Sequence, residues 1–179
     1  MENPRPLAEK GSEPITDLTR ASGEIGSEAN MPNSTTGKRI LVVDDNAGNA
    51  ALLAAYLRNA AHHVAVATSG QQALEMLREA PPDLMILDAR MPGMSGYEVL
   101  ETINAEPDIG ARPVLMLTAL NQPQSKQRAV ELGVDDFLSK PVSKLDFLHR
   151  VQALLEVAEL PSGLQRTLAY CEALDRLRE

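Results

Sequence analysis

Five short apolar runs alternate with longer segments whose apolar residues recur at helical spacing, and this alternation is the strongest constraint on the fold. The runs occupy residues 40–43, 64–67, 84–87, 113–117 and 137–138. Helical spacing follows each run, as in residues 47–60, where Leu53 and Leu57 fall on one face. Continuous apolar strands are typical of a sheet covered on both faces, and strand–helix alternation predicts parallel strands with right-handed crossovers.

Two boundary signals support the predicted helices. Ser95 and Glu98 form the S-x-x-E pattern of a capping box at the start of the third helix. Ser143 is placed to cap the fifth helix, which we expect to run to about Leu160. The helical segments are therefore delimited by local chemistry as well as by apolar periodicity.

The two ends of the chain differ from the repeating region. Residues 1–37 are rich in Pro, Gly, Ser, Thr, Asn and Glu, so we expect a disordered N-terminal tail. Residues 38–160 then form the globular domain, and residues 161–179 a C-terminal helical extension or linker. The apolar stripe of this extension comprises Leu164, Leu168, Cys171, Leu174 and Leu177. Three alternatives stay open: the helix folds back on its own domain, pairs with a second copy, or begins a linker.

The charge balance argues against several functions. The formal net charge is -8 and the pI about 4.9, whereas a nucleic-acid-binding domain needs a basic face. The single cysteine, Cys171, cannot form an intrachain disulfide and suits a reducing compartment. No apolar run approaches the roughly 18–20 residues of a membrane span, and the N-terminus does not resemble a secretory signal. We therefore predict a cytoplasmic domain that binds neither nucleic acid nor membrane.

The candidate site consists of polar residues that follow four of the five apolar runs. They are Asp44 and Asp45 after the first run, Asp88 after the third, Thr118 after the fourth and Lys140 after the fifth. The carboxyl ends of parallel strands meet at one edge of a sheet, where ligands bind near the topological switch point. One Asp at a strand end is usually a helix cap or a turn residue, but reactive residues at successive strand ends predict a shared site.

The chemistry of this group of residues favours a hard divalent cation. Three carboxylates facing one ammonium would repel each other, and oxygen ligands with retained waters suit Mg²⁺. Zinc is disfavoured because the histidines all fall elsewhere; they are His62, His63 and His149. A carboxylate beside Mg²⁺ can attack phosphorus and become an aspartyl phosphate, while a lysine neutralises charge on the phosphoryl oxygens.

These motifs resemble the receiver domain of response regulators, the phosphoacceptor module of bacterial two-component signalling. The resemblance rests on Asp44-Asp45, on Asp88 within LMILDARMPGMSG, on Thr118-Ala119 and on Lys140-Pro141 within GVDDFLSKP. It covers about residues 38–160. It implies an α/β, doubly wound (βα)5, flavodoxin-like fold similar to the chemotaxis receivers, with a parallel five-stranded sheet of order 2-1-3-4-5.

The resemblance also implies a role for each site residue. Asp88 would accept the phosphoryl group. Asp45 and Asp88 would bind Mg²⁺ directly and Asp44 would assist, often through water. The backbone carbonyl of Arg90 would complete the protein ligands. The residues implied to contact the phosphoryl group are Thr118 and Lys140.

Further positions are implied to control switching. Phosphorylation would draw Thr118 toward the phosphoryl group and let Phe137 turn inward, which changes the face formed by the fourth helix, fifth strand and fifth helix. Arg90 and Leu120 lie two residues after Asp88 and Thr118, at positions whose side chains influence dephosphorylation in the family. The Lys140–Pro141 bond is expected to be cis.

The implied function is Mg²⁺-dependent phosphoryl transfer from a histidine kinase or phosphotransfer protein to Asp88. Its output would be binding of a downstream protein, or homodimerisation. Such a protein phosphorylates and dephosphorylates only itself, so we do not expect an enzyme. Charged pairs across a dimer could use Lys126, Asp135, Asp136, Asp146 and Arg150.

Two other interpretations are carried forward. In the first, the chain is the receiver part of a larger regulator that has an enzymatic or DNA-binding output domain. In the second, it is an enzyme that uses the same parts, such as a haloacid-dehalogenase-type phosphatase. That family needs a second Asp two residues after its nucleophile, where this chain has Arg90.

Overall fold

A computed structural model describes residues 36–106, 109, 112–119, 123–160 and 164–178. For residues 123–126 and 164 it describes the backbone alone. The predicted disordered tail therefore lies outside the described residues except for its last two positions. Leu120, assigned to dephosphorylation, also lies outside them.

The five apolar runs form one parallel sheet. The strands are β1 Arg39–Val43, β2 His63–Ala67, β3 Leu84–Asp88, β4 Val114–Thr118 and β5 Asp136–Ser139. Their order in the sheet is β2-β1-β3-β4-β5, and every neighbouring pair is parallel. The predicted doubly wound fold and its strand order are confirmed.

Within the described residues, six α-helices connect and follow the strands. They are α1 Ala47–Asn59, α2 Gly70–Glu79, α3 Gly96–Ala105, α4 Pro123–Glu131, α5 Lys144–Glu156 and α6 Leu164–Arg176. The side chains of Asn46 and Ser69 cap α1 and α2 by accepting backbone N–H bonds. The predicted capping box of Ser95 and Glu98 is present at α3, with both reciprocal hydrogen bonds formed. None of the helices within the described parts of the chain has the length and apolarity to span a membrane.

Two apolar layers cover the two faces of the sheet. On one face, alternate strand residues such as Val42 and Ile86 pack against α1, α5 and α6. On the other face, residues such as Val43 and Leu87 pack against α2, α3 and α4. All residues of β3 and β4 are buried, as expected for central strands that have helices on both sides.

The fifth helix is shorter than predicted. It ends at Glu156 rather than near Leu160, and the chain continues through a turn in which the amide of Leu160 donates to Val157. The following residue is Pro161, which disfavours helical geometry at the residue before it. Ser143 does occupy the N-cap position, but its side chain makes no capping hydrogen bond.

The C-terminal helix folds back on its own domain, with an inward face that matches the predicted stripe only in part. Leu168 is 56% exposed and Cys171 is also exposed. Tyr170, Ala173 and Leu174 are buried against the core that α1 and α5 share. Leu174 and Leu177 of the predicted stripe do pack on this core, but the prediction missed the polar side chains of Arg166 and Tyr170, which are also buried there.

Candidate functional site

The strand register brings the predicted site residues to one edge of the sheet. Val43 pairs with Leu87, Asp88 with Leu117, and Thr118 with Ser139. The residues at or directly after these strand ends are Asp44, Asp45, Asp88, Thr118 and Lys140. The structure thus brings these residues together, and we call Asp44, Asp45, Asp88 and Lys140 the acidic site.

The Asp88 carboxylate is held on both oxygens. Oδ1 accepts the backbone N–H of Arg90 at 3.1 Å, and Oδ2 accepts the Lys140 ammonium at 2.6 Å. Only 7% of Asp88 is exposed. One edge of the carboxylate therefore has a fixed orientation, while a small part of its surface reaches solvent.

Asp44 is fully buried beside Asp88 and has a similar set of donors. Its Oδ1 accepts the backbone N–H of Asn46 at 2.9 Å, and its Oδ2 accepts the Lys140 ammonium at 2.9 Å. Lys140 therefore bridges the two buried carboxylates. Burial alone lowers the pKa of Lys140, but its hydrogen bonds and attraction to Asp88 and Asp44 outweigh burial and raise the pKa. The bridging ammonium stays charged at neutral pH.

Asp45 completes a group of three carboxylates. One ligand oxygen from each of Asp44, Asp45 and Asp88 lies within 4.8 Å of the others, and Asp45 is exposed at the mouth of the group. Oxygen ligands of this kind suit Mg²⁺, which keeps several waters and therefore needs an open side. The donor set contains no histidine or cysteine, so these residues fit Mg²⁺ and do not fit a structural zinc ion.

The two predicted switch residues lie on one face of the sheet. Thr118 is 3% exposed at the end of β4. Phe137 pairs in register with Met116, two residues before Thr118, and packs partly buried in the layer under α2, α3 and α4. Side chains two residues apart on a strand share a face, so Thr118 lies on the same face of the sheet as Met116 and its register partner Phe137.

The other predicted positions near Asp88 are not all among the described residues. Arg90 is exposed and contributes its amide to Asp88. The peptide bond between Lys140 and Pro141 is cis, as predicted. Leu120 is not among the described residues, so its predicted role stays a prediction.

Gly96 is a site-positioning residue that the sequence analysis missed. A Cβ atom placed on Gly96 would lie 2.3 Å from the backbone carbonyl oxygen of Asp88. The amide of Gly96 also donates to the carbonyl of Ala89 at 3.2 Å. The start of α3 therefore packs directly on the end of β3, which only a glycine allows. The capping box immediately before Gly96 locates the helix start, but no local pattern reveals the neighbouring strand.

Comparison with known proteins agrees with this geometry. The family model for the response regulator receiver domain matches residues 40–152. The DNA-binding response regulator MtrA of Mycobacterium tuberculosis is 39% identical over 121 residues, which are 68% of this chain and 52% of that protein. The response regulator RR06 of Streptococcus pneumoniae is 39% identical over 116 residues, 65% of this chain and 52% of that protein. The chain spans about half the length of these curated relatives.

Solved structures give the same result. The chemotaxis response regulator CheY4 of Vibrio cholerae aligns with a TM-score of 0.63 and 29% identity, over 66% of this chain and 99% of that one. The receiver domain of a signal transduction histidine kinase from Syntrophus aciditrophicus aligns with a TM-score of 0.64 and 31% identity, over 71% and 96% of the two chains. With its five-stranded sheet and its acidic site at the carboxyl edge, this chain belongs to the response regulator receiver domain family.

Proposed function

We propose that this chain is a phosphoacceptor, in which Asp88 takes a phosphoryl group from a histidine kinase or phosphotransfer protein in the cytoplasm. The observation that carries the proposal is the position and hydrogen bonding of the Asp88 carboxylate. It is held by the Arg90 amide and the Lys140 ammonium, and it lies beside two further carboxylates at the carboxyl edge of the sheet. A nucleophile needs this fixed orientation to attack phosphorus in line.

The transfer is a displacement at phosphorus. A carboxylate oxygen of Asp88 forms a bond to the phosphorus as the P–N bond to the donor histidine breaks, and the departing imidazole nitrogen receives a proton from solvent. Lys140 neutralises charge on the phosphoryl oxygens, and the Thr118 hydroxyl donates to the group once it is attached. The aspartyl phosphate is later hydrolysed by water, which restores Asp88 and releases phosphate.

Mg²⁺ is the proposed cofactor, and bound Mg²⁺ would supply charge neutralisation at the phosphoryl oxygens. Asp45 and Asp88 would hold it, with Asp44 assisting and the backbone carbonyl of Arg90 as a further ligand. Receiver domains typically bind Mg²⁺ at an acidic pocket, and the three carboxylates described above form such a pocket. The open position of Asp45 supports this assignment.

The proposed consequence is a population shift within one fold. The phosphoryl group adds a charge of roughly -1.5 to -2, which favours Thr118 near the group and Phe137 turned inward. Arg90 and Leu120 would tune the lifetime of the adduct. The output would be protein binding or homodimerisation at the face formed by α4, β5 and α5, with no enzymatic action on other molecules and no contact with nucleic acid or membrane.

Intact-mass spectrometry tests the proposal. The protein is incubated with Mg²⁺ and acetyl phosphate, beside an Asp88→Asn variant and a sample containing excess chelator. We expect one phosphoryl adduct in the wild type and none in either control. Absence of an adduct with acetyl phosphate and with phosphoramidate would contradict the proposal, as would an equal adduct in Asp88→Asn.

A second candidate is that this chain is the receiver part of a larger regulator. The length of the curated relatives favours it, because the chain covers 52% of MtrA, which is described as DNA-binding. The sequence of the full-length gene separates the two candidates. A reading frame that continues past residue 179 into a further domain supports the larger regulator, whereas a stop codon directly after residue 179 supports output by this chain alone.

A further inference from the structure

The C-terminal helix α6 is held by acidic residues at the amino end of β5. The Asp136 carboxylate accepts hydrogen bonds from the Tyr170 hydroxyl and the Arg150 guanidinium. Asp135 lies next to it and accepts the amide of Val114 at 2.8 Å. The guanidinium of Arg166 on α6 reaches within 2.9 Å of Asp135. We call Asp135, Asp136, Arg150, Arg166 and Tyr170 the Asp136 cluster.

The packing of α6 on the domain is incomplete. Arg166 is only 5% exposed, yet its Nε and Nη2 atoms make no hydrogen bond to the described residues, and Nη2 contacts Asp135 as an ion pair at 2.9 Å. A cavity of about 310 Å³ lies beside this contact, between α6 and the ends of α4 and α5. Its apolar lining includes Val130, Val134, Leu154 and Val157. A buried cation with unused donors beside a cavity makes a helix easier to displace than a filled apolar contact does.

Strand β5 connects the Asp136 cluster to the acidic site. The strand has four residues, begins at Asp136 and is followed directly by Lys140. At a rise of about 3.3 Å per residue, Asp136 and Lys140 are about 13 Å apart. Lys140 binds Asp88 at 2.6 Å, and Asp136 binds Tyr170 of α6. One short edge strand therefore separates Lys140, which binds the phosphoacceptor candidate, from Asp136, which binds α6.

We propose that phosphorylation of Asp88 and docking of α6 are coupled through β5, so that the phosphoryl group favours release of α6 from β5 and α5. This proposal rests on the proposed function. The docked helix needs the Asp136 carboxylate between Tyr170 and Arg150, which is the arrangement seen with Lys140 bridging Asp44 and Asp88. A phosphoryl group on Asp88 adds acceptor oxygens beside Lys140 and changes how Lys140 pairs with Asp44 and Asp88. The contact of α6 at the opposite end of β5 is incompletely packed, so it breaks more readily than the contacts within the buried sheet.

Release of α6 would free an acidic face. The docked helix occupies Asp135 and Asp136, and Arg178 just beyond α6 lies 3.8 Å from Asp146. The sequence analysis assigned these three acids to charged pairs across a dimer. In the structure they are paired within the chain, partly with Arg150 and partly with α6 and Arg178, so release of α6 would leave these acids with fewer partners for a second copy to replace. Coupling is reciprocal, so undocking α6 should also favour the phosphorylated state.

The single cysteine gives a direct test. Cys171 is exposed on α6 and is the one cysteine of the chain, so a nitroxide label attached there reports the mobility of this helix. We expect Mg²⁺ and acetyl phosphate to raise the ratio of mobile to immobile label at least tenfold, in step with the phosphoryl adduct measured by intact mass. Labelled Asp88→Asn should show no change.

Two further measurements separate the coupling from other effects. The double variant Arg166→Gln, Tyr170→Phe should have a mobile label without any phosphodonor, whereas Leu168→Ala, on the exposed side of α6, should match the wild type. Hydrogen exchange of the unlabelled wild type should accelerate at residues 164–178 on phosphorylation and stay unchanged at residues 47–59. An adduct formed without either change would overturn the coupling and leave the proposed function standing. Failure to form any adduct would overturn both.

Discussion

The two ends of β5 both carry clustered acids, and the clusters differ in how fully their charges are paired. In the acidic site, three carboxylates face one ammonium, and Asp45 is open to solvent. In the Asp136 cluster, two carboxylates face two guanidinium groups and a tyrosine hydroxyl. Excess negative charge at an open edge favours binding of a cation from solution. Carboxylates that are matched by positive groups instead form ion pairs within the chain. The same residue types thus support binding at one end and docking at the other.

The largest expected effect is stabilisation by Mg²⁺ that depends on the acidic site alone. At a Mg²⁺ concentration about 100 times its Kd, the free energy of unfolding should rise by about 2.7 kcal/mol. Asp45→Asn should remove most of this increment, because it deletes the exposed ligand. Asp136→Asn should keep it, although that variant starts from a lower stability. Urea unfolding with and without Mg²⁺ measures this increment in both variants. Loss of the increment in Asp136→Asn would contradict the difference between the two clusters.

A packing prediction at the acidic site comes next in size. Gly96→Ala should lower the free energy of unfolding by about 2 kcal/mol, because its Cβ would overlap the Asp88 carbonyl oxygen. Gly48→Ala is the matched control in α1, where the nearest atom to the new Cβ is the Asn46 side chain at 3.2 Å. That control should be neutral or gain up to about 1 kcal/mol from helix propensity. Equal stabilities of the two variants would refute the close approach of α3 and β3.

At the other end of β5, Tyr170→Phe should cost about 1.5 kcal/mol, because Asp136 loses a hydrogen bond to a charged acceptor. Burial and the hydrogen bond to Asp136 raise the pKa of Tyr170, so the hydroxyl is protonated and able to donate at neutral pH. Tyr56→Phe is a suitable control, since the contacts of Tyr56 with the Lys144 ammonium and with the core are made by its ring, which the variant keeps. Thermal unfolding of both variants checks the prediction, and a Tyr170→Phe protein as stable as the wild type would contradict it.

The smallest expected effect is a pH dependence in the alkaline range. Hydrogen bonds to Asp88 and Asp44 raise the pKa of Lys140 above the ordinary lysine value of 10.5 in the folded chain. Its stabilising contribution is therefore complete below pH 10.5 and lost as the pH rises through the folded pKa. Without Mg²⁺, the stability difference between the wild type and Lys140→Met should shrink over that range. The control is Lys38→Met, since Lys38 makes only a loose 4.0 Å ion pair with Glu159; the same trend there would count against the bridge.

The sequence predicted the parts of the molecule that local patterns determine. Short continuous apolar runs such as residues 84–87, bounded by turn residues, favour strands covered on both faces, and the residue after each run then lies at the carboxyl edge. This is why Asp88 and Lys140 could be placed together before the structure was known. The close packing of Gly96 could not be predicted, because it depends on which strand lies next to α3.

The C-terminal helix shows where sequence patterns mislead. Its leucine spacing predicted an aliphatic inward face, but Leu168 points to solvent and Tyr170 is buried. The orientation follows from Asp135 and Asp136, which lie more than 25 residues earlier in the chain and attract Arg166 and Tyr170. Burial of a polar side chain depends on a distant partner that satisfies it, and a single helical segment contains no sign of that partner.

The most direct test of the difference between the two clusters is the location of the phosphoryl group. The phosphorylated protein is reduced with borohydride, which converts an aspartyl phosphate to homoserine, and its proteolytic peptides are sequenced by mass spectrometry. We predict that homoserine replaces Asp88 and no other acid. Homoserine at Asp135 or Asp136, or spread over several acids of both clusters, would contradict the account.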